Sequence, residues 1–555
     1  MFLLLACADQ TVPLDTGDEA VSDEILGGTE ADPLFDVAVL HELVVELDPA
    51  DWAELREQAR TYYDLMGEGC MEGPWPSPYT YFPAEAWLDG AAMGEVGVRK
   101  KGLIGSVVSD RPSLKIDVGE YVDEQRFFGL EKLVFNNGRQ DASRMRTCLA
   151  HHWFDDAGLV APRCALAHVV VNGEDLGIYA HTENIDEELV ARRTGEWPVA
   201  MYEGTLSDFR EGWTQTFEYE TEDTTGAELE AVTQALEAGD DDLLSGLDEV
   251  IDLDAFGRFW AAESIAGHWD GYNANTNNFY AYALPGDGRL QFIASGPDAA
   301  FDQREPFWGN DGANAWVGTV SALGNRLFNH DEGRALYEAE LSRQLDENWD
   351  GAAVVQQIDN WAELVAKHDD KTMRDGIGAT RTIVELRDAD VRDGMARGAE
   401  ATEMRTEVCW ETVGVATVDF STTWDSYPNG DVWTGGEADT YYVFEGVEYP
   451  SIQDGVSAGI IEDGRAIWLT ISEIAPGVYV APYAVFDASL LVDGTSLAID
   501  GHDAEGVIMY LDSNESDQWQ TIAYLGNGTL SFSEAGSNRG DALVGRLDVE
   551  ILGGQ

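Results

Sequence analysis

The chain changes periodicity just past residue 400, and that change constrains the fold more than any other feature of the sequence. From 331 to 403 the apolar positions recur at helical spacing, with Leu336, Leu341 and Leu345 in one run and Ile383, Leu386 and Val391 in a later one. Past Cys409 this spacing vanishes and Gly, Thr, Ser and Tyr rise. Short alternating runs at 466–471, 477–485, 506–511, 521–525 and 546–552 then sit between turn signals. A helical stripe and a period-2 stripe bury different faces, so a chain of 555 residues is expected to form at least two units. The reading is an α+β domain over 35–406 and an all-β sandwich or small barrel over 410–555. No repeat period points to a solenoid or propeller.

Within the first unit, residues 35–47 alternate as a strand, and Pro49, Asp51 and Trp52 open a helix through Arg60. Strands are expected over 95–101 and 113–118, with Gly102, Gly105 and Pro112 in the loop between them. Ser143 is placed to cap a helix that runs to Ala157 and stops at Gly158. Two hairpins follow. The first pairs 167–171 with 176–182 across Asn172-Gly173, a dipeptide suited to left-handed backbone angles. The second pairs 279–284 with 290–294 across Pro285-Gly286-Asp287-Gly288. Between them a helix from about Asp252, with Leu253, Phe256, Phe259 and Trp260 on one face, leads into the polar segment 268–278.

Asp and Glu number 104 against 33 Lys and Arg, and the net charge of -71 repels nucleic acid and anionic membranes. The acid is spread along the whole chain, which reads as solubility rather than as one cation-binding block. At the amino terminus Leu3, Leu4, Leu5, Ala6 and Cys7 resemble a bacterial lipobox, and residues 9–32 form a polar, acidic run suited to a tether. Residues 1–34 are therefore expected to be a signal remnant and tether of an envelope lipoprotein outside the cytoplasm. Its contact with the membrane would be a lipid on Cys7. Cys70, Cys148, Cys164 and Cys409 allow two disulfides, with all three pairings and free thiols left open.

Phosphoryl transfer needs a cation for the phosphates, oxygen ligands for a divalent ion and a carboxylate beside the attacking hydroxyl. Kinases supply the last two with a loop Asp, an Asn five positions on, a hairpin, and a second Asp where the hairpin ends. Asp270, Asn275, the second hairpin and Asp298 stand in that order. Because a hairpin returns the chain to its starting edge, Asp298 is expected beside Asp270. Taken alone, an Asp and several Asn are common turn formers. Weaker motifs are read as structure: Gly455-Val456-Ser457-Ala458-Gly459 and Arg539-Gly540-Asp541 as turns, Asp512, Asn514 and Ser516 as a solvated loop, and His151-His152 as helix residues.

Five ordered blocks then resemble one family. They are Val98-Arg99-Lys100-Lys101-Gly102, Pro112 to Ile116, Phe128-Gly129-Leu130 with Asn136-Asn137-Gly138, Asn172 to Tyr179 with Glu183, and Trp269-Asp270-Gly271-Tyr272 with Asn278-Phe279-Tyr280. Their order over about 37–405 resembles the CotH family of spore-coat-type atypical kinases. The resemblance implies a protein-kinase-like domain that uses ATP with Mg²⁺ or Mn²⁺ and phosphorylates serine on a partner protein. It implies Lys101 and Lys115 toward the phosphates, Glu183 in a nucleotide-site or ion-pair role, Asp270 as the base, and Asn275 or Asn278 with Asp298 toward the metal. Three departures point the other way: Gly296 where the family commonly has Asp, Glu203 where it often has Lys, and Thr147 after Arg146 where it usually has Glu. They imply, as the alternative, a degenerate pseudokinase without cofactor that acts as a surface-binding or structural module.

Overall fold

The structure, a computed structural model, describes residues 30–553 apart from 68, 104–109, 222–223, 303–315, 406–408, 427–432, 434, 462–464, 516–517 and 537. Cys7, the tether as far as residue 29, Gly105 and Ser516 lie outside the described residues.

Alternation in the first 183 residues closes a barrel. Its strands are β1 (His41–Leu47), β2 (Phe82–Leu88), β3 (Ala91–Lys101), β4 (Ser113–Asp117), β5 (Lys132–Asn136), β6 (Cys164–Val171) and β7 (Glu174–Glu183). They hydrogen-bond in the order β1-β2-β3-β4-β5-β7-β6, and the parallel pairing of β1 with β6, His41 opposite Ala167, shuts the ring. Leu43 and Val45 point inward with Val96, Val98, Leu114, Ile116, Phe135 and Val169, all buried. The strand expected from residue 35 starts at His41, because Asp32–Phe35 is a 3₁₀ turn that buries Leu34 and Phe35 instead. The Asn172-Gly173 turn forms as expected, with φ of 51° and 79°.

Helices α1 (Pro49–Glu57) and α2 (Tyr62–Met66) link β1 to β2, and α3 (Arg146–Asp156) links β5 to β6. The expected cap at Ser143 is corrected: α3 begins at Arg146, and Asp141 organises its entry. The Asp141 carboxylate accepts from the backbone N–H of Ser143 (2.8 Å) and of Arg146 (2.7 Å), so a buried carboxylate outcompetes the serine hydroxyl.

The second layer contains α4 (Glu187–Thr194), β8 (Ala200–Gly204), β9 (Glu218–Tyr219), α5 (Ala227–Leu236), α6 (Asp240–Asp248), α7 (Leu253–Ala266), α8 (Tyr272–Asn275), β10 (Phe279–Ala283) and β11 (Leu290–Ala294). The helices α9 (Ala322–Phe328), α10 (Asp331–Glu347), α11 (Gly351–Val365) and α12 (Lys371–Arg397) follow. Four strands form a sheet in the order β11-β10-β8-β9. Asp252 caps α7 by accepting from Ala255 N, and Gly267 ends it in a left-handed turn. Phe256, Phe259, Trp260 and Ile265 are buried, and Tyr337 of α10 stacks on Trp260 at 4.0 Å between ring centroids. Leu336 and Leu386 face solvent, unlike their expected partners, because each lies one helical step off the stripes formed by Tyr337, Leu341 and Leu345 and by Ile383, Val384 and Val391.

The carboxy-terminal part is rich in sheet: β12 (Glu411–Thr423), β13 (Gly436–Phe444), β14 (Val447–Tyr449), β15 (Gln453–Ile460), β16 (Arg465–Ala475), β17 (Val478–Asp487), β18 (Ser496–Ala498), β19 (Ala504–Asp512), β20 (Gln520–Ala535) and β21 (Ala542–Gly553). These ten strands form one sheet, not two, and it rolls until β15 packs over β12 and β13. The Tyr442 hydroxyl meets Ser472 Oγ at 2.9 Å and Thr440 donates to Asp454 at 2.9 Å across that closure. The shape lies between the sandwich and the barrel that the alternation suggests. The glycine turn expected at 455–459 is instead the middle of β15, with Ser457 buried, so that serine has no exposed elbow.

A wedge and a staple join this sheet to the rest. The Tyr63 hydroxyl on α2 donates to the carbonyl oxygen of Leu525 and accepts from Gly506 N at 3.3 Å, and Trp410 stacks on Tyr524 at 4.4 Å. Cys70 is bonded to Cys409, 339 residues away, and Cys148 to Cys164, which fixes α3 to β6. A crosslink that long limits the unfolded chain strongly. Replacing both Cys70 and Cys409 by Ala should therefore lower the unfolding free energy by about 2–5 kcal/mol, read from the urea midpoint. An unchanged midpoint would contradict the staple.

Candidate functional site

The polar segment after α7 is folded around a buried carboxylate. Glu263 is 3 % exposed and accepts from the backbone N–H of Tyr272 (3.1 Å) and Asn273 (3.3 Å) and from Asn273 Nδ2 (2.9 Å). This approach requires glycine at 271, where a Cβ would lie 2.2 Å from Glu263 Oε1. Burial pushes Glu263 up to about 7. Asp208, also buried, braces the same loop by accepting from the Tyr272 hydroxyl (3.0 Å) and from Ala322 N (3.0 Å). His268 Nε2 lies 3.0 Å from the Ser295 carbonyl oxygen, and burial holds the ring down to about 4, hence neutral.

On this support Asp270 is gripped by three amides. Its Oδ1 accepts from Asn275 Nδ2 (2.6 Å) and Asn277 Nδ2 (3.1 Å), and its Oδ2 from Asn278 Nδ2 (2.8 Å). Burial raises the Asp270 carboxyl while these amides oppose the rise. The hairpin of β10 and β11 sets Phe279 opposite Ala294, and Ser295 N donates to Asn278 O at 2.9 Å. The chain then turns through Pro297–Ala299 against α3. Asp298 sits in that turn, and its carboxyl is pushed up to about 7, first by burial and then by the negative charges of Asp270 and Asp141, with Lys101 opposing. Asp270 and Asp298 are thus electrostatic neighbours, as the hairpin argument expects.

Lys101, the cation that acts on Asp298, belongs to a basic strand pair. Arg99 on β3 lies directly opposite Lys115 on β4, and Lys101, two residues on, shares their face. Lys101 Nζ donates to Asn136 Oδ1 at 2.9 Å, and burial followed by the Lys115 charge holds its ammonium down to about 8. Like charges directly opposite across strands repel. Glu203 on β8 and Glu220 supply the compensating field for Lys115. The carboxylates of Glu203, Glu218 and Glu220 converge within 4.8 Å, and burial followed by its two neighbours pushes Glu220 up to about 8.

Two expected site residues are engaged elsewhere. Glu183 is held by Arg163 (2.8 Å) and Arg192 (2.6 Å), which is the ion-pair role of the two that the resemblance implies. Asn275 Oδ1, the atom a metal would need, accepts from Arg405. Asn278 is the better placed of the two amides: its Oδ1 is directed at Gly296, whose φ is +53° and where a Cβ would come within 2.7 Å of that oxygen. Sequence reasoning missed Glu263, Asp208, Asn277 and Arg405. Of these only Glu263 carries a signal, an acidic residue within an otherwise apolar helical stretch. Thr147 is buried on α3, and the neighbouring Arg146 pairs with Asp302 (2.6 Å) and Asp141 (3.5 Å).

The family model described as CotH kinase protein matches residues 98–379, a span holding both the basic strands and the Asp270 loop. The chain belongs to the CotH family. The inner spore coat protein H of Bacillus subtilis (strain 168) is 23% identical to this CotH chain over 220 residues, which is 37% of this chain. The match spans 58% of that relative's length. A crystal structure of a Helicobacter pylori proinflammatory kinase, CtkA, aligns over 51% of this chain and 94% of that one at 12% identity, with a TM-score of 0.26, and no residue correspondence is drawn from it.

The raised Asp298 carboxyl gives a signed pH dependence. Holding that proton stabilises the folded state fully below the unfolded value of 3.8, and the contribution is lost as pH rises to about 7. Asp298→Asn cannot release a proton and escapes the repulsion. Without divalent ions, its melting temperature should gain on wild type as pH rises from 3.8 to about 7. A difference independent of pH would contradict the buried, charge-crowded setting of the Asp298 carboxyl.

Proposed function

We propose that this CotH-family protein works outside the cytoplasm as a kinase-like enzyme, transferring the terminal phosphoryl group of ATP to a serine of a partner protein. The observation that carries the proposal is the return of Asp298 to Asp270, with Lys101 close enough to act on the Asp298 charge and Lys115 beside Lys101. Two neighbouring carboxyls, one lifted to about 7, form a site whose charge is relieved by a divalent cation. Asp298 and Asn278 Oδ1 are the groups that would hold Mg²⁺ or Mn²⁺. The ion, when bound, would neutralise phosphate oxygens.

The chain's own residues do the rest. Lys101 and Lys115 meet the phosphates, and a polyanion there restores the proton affinity that burial removes from both ammonium groups. Asp270 is fixed in one orientation by Asn275, Asn277 and Asn278. A carboxylate has about four acceptor sites. The three amides leave one for the serine hydroxyl, which gives its proton to Asp270 as its oxygen bonds the γ-phosphorus and the bond to the β-phosphate oxygen breaks, leaving ADP. Two disulfides suit an oxidising compartment, and the strongly negative chain favours a basic partner.

A second reading, a degenerate module that binds a surface partner without transfer, is favoured by one observation. Glu203, Glu218 and Glu220 already supply negative charge against the basic strands, where a nucleotide would otherwise do so. Purified protein with Mn²⁺, γ-labelled ATP and a basic acceptor separates the readings. The enzyme reading expects transfer that falls at least about 100-fold in Asp270→Asn. Melting curves with and without Mg²⁺ and ATP add a binding readout, because a ligand of the native state raises stability. Glu203→Gln should enlarge that rise. No transfer by wild type, with or without a melting shift, would sink the enzyme reading.

A further inference from the structure

Away from the Asp270 site, three side chains from three elements converge at the surface. His168 on β6, Asp175 on β7 and His368 in the connection from α11 to α12 each present one potential ligand atom, and these atoms all lie within 4.8 Å of one another. His168 Nε2 is 2.8 Å from Asp175 Oδ1, and the two imidazoles abut at 4.2 Å between ring centroids. The chain has only nine histidines, so two of them meeting beside a carboxylate, 200 residues apart in sequence, is not a product of abundance.

The surroundings have the form that holds a ligating imidazole. Metal-bound histidines usually direct their other ring nitrogen at a carboxylate or carbonyl, which fixes the tautomer and ring orientation. Glu42 on β1 stands 3.9 Å from His168 Nδ1, an electrostatic neighbour beyond hydrogen-bond distance. Asp175 is itself positioned by accepting from Gly177 N at 2.9 Å. His168 is 12% exposed and thus fixed by the barrel wall, whereas Asp175 is 64% exposed, leaving the cluster open to an incoming ion.

We infer that His168, Asp175 and His368 form a binding site for a transition-metal dication of the zinc class. Two imidazoles and one carboxylate suit zinc far better than magnesium or calcium, which prefer all-oxygen sets. Three protein ligands leave a fourth position to water. The site is distinct from the Asp270–Asp298 pair in ligand type, and its metal ties the β6–β7 hairpin of the barrel to the α11–α12 connection of the helical layer. The ion is a clamp between the two layers.

Cobalt(II) provides the probe, since its visible d–d absorption is intense in a four-coordinate site and stays weak for six-coordinate binding to surface carboxylates and water. Titration of the full chain, in buffer already containing excess Mg²⁺, should give a one-to-one spectrum that zinc displaces. His368→Gln, at an exposed position, should weaken cobalt binding by roughly tenfold or more. It should also abolish the zinc-dependent rise in melting temperature. Asp175→Asn, a second variant on another element, should weaken both in the same way. An absent wild-type spectrum, or one equally strong in both variants, would overturn the site.

Discussion

A single buried carboxylate organises the candidate site. Glu263 lies near the end of an apolar helix, where an unpaired charge would cost several kcal/mol, and it stays there because the loop that follows closes three N–H groups onto it. Gly271 permits the approach, Asp208 braces the loop from the other side, and Asp270 is thereby held one residue before the glycine. From this anchored loop the chain enters β10, and the register of β10 with β11 then determines where Asp298 emerges. The site is thus a chain of consequences from one buried acid.

The candidate site is crowded with charge of both signs. The barrel contributes Arg99, Lys101 and Lys115, and the second layer contributes Asp270, Asp298 and the Glu203 trio. Burial drives the ammonium groups down and the carboxyls up, which is the signature of groups that lack their full complement of counter-charge. A nucleotide with its divalent ion brings both signs at once. Gly296 acquires a reason in the same geometry. Its left-handed backbone leaves room for the Asn278 amide, so the absent aspartate and the presence of Asn278 Oδ1 are two sides of one local arrangement.

Local pattern made much of this legible. The hairpins, the capped helix from Asp252 and the switch from helix to strand rest on short-range chemistry, and the neighbourhood of Asp270 and Asp298 follows from hairpin geometry alone. What stayed hidden depends on contacts distant in sequence. The parallel closure of β1 on β6 joins strands more than a hundred residues apart, and the rolling of one sheet in place of two is decided by which edge finds a partner. The partners of Asn275 and Glu183 stayed hidden for the same reason: residue type and order suggested a metal ligand in the first and left two roles open for the second, and Arg405, Arg163 and Arg192 reach them from other parts of the chain. The cap of α3 was likewise decided by Asp141, whose burial no helix-start pattern reveals.

The central claim is that folding places Asp298 and Asn278 beside Asp270 as one cation site. Crystals grown with Mn²⁺ and a non-hydrolysable ATP analogue test it most directly through the anomalous signal of manganese. The account requires a peak at bonding distance, roughly 2.1–2.3 Å, from a carboxylate oxygen of Asp298, with the phosphates toward Lys101 and Lys115. Manganese bound instead only among Glu203, Glu218 and Glu220, or no ordered nucleotide at all, would contradict it.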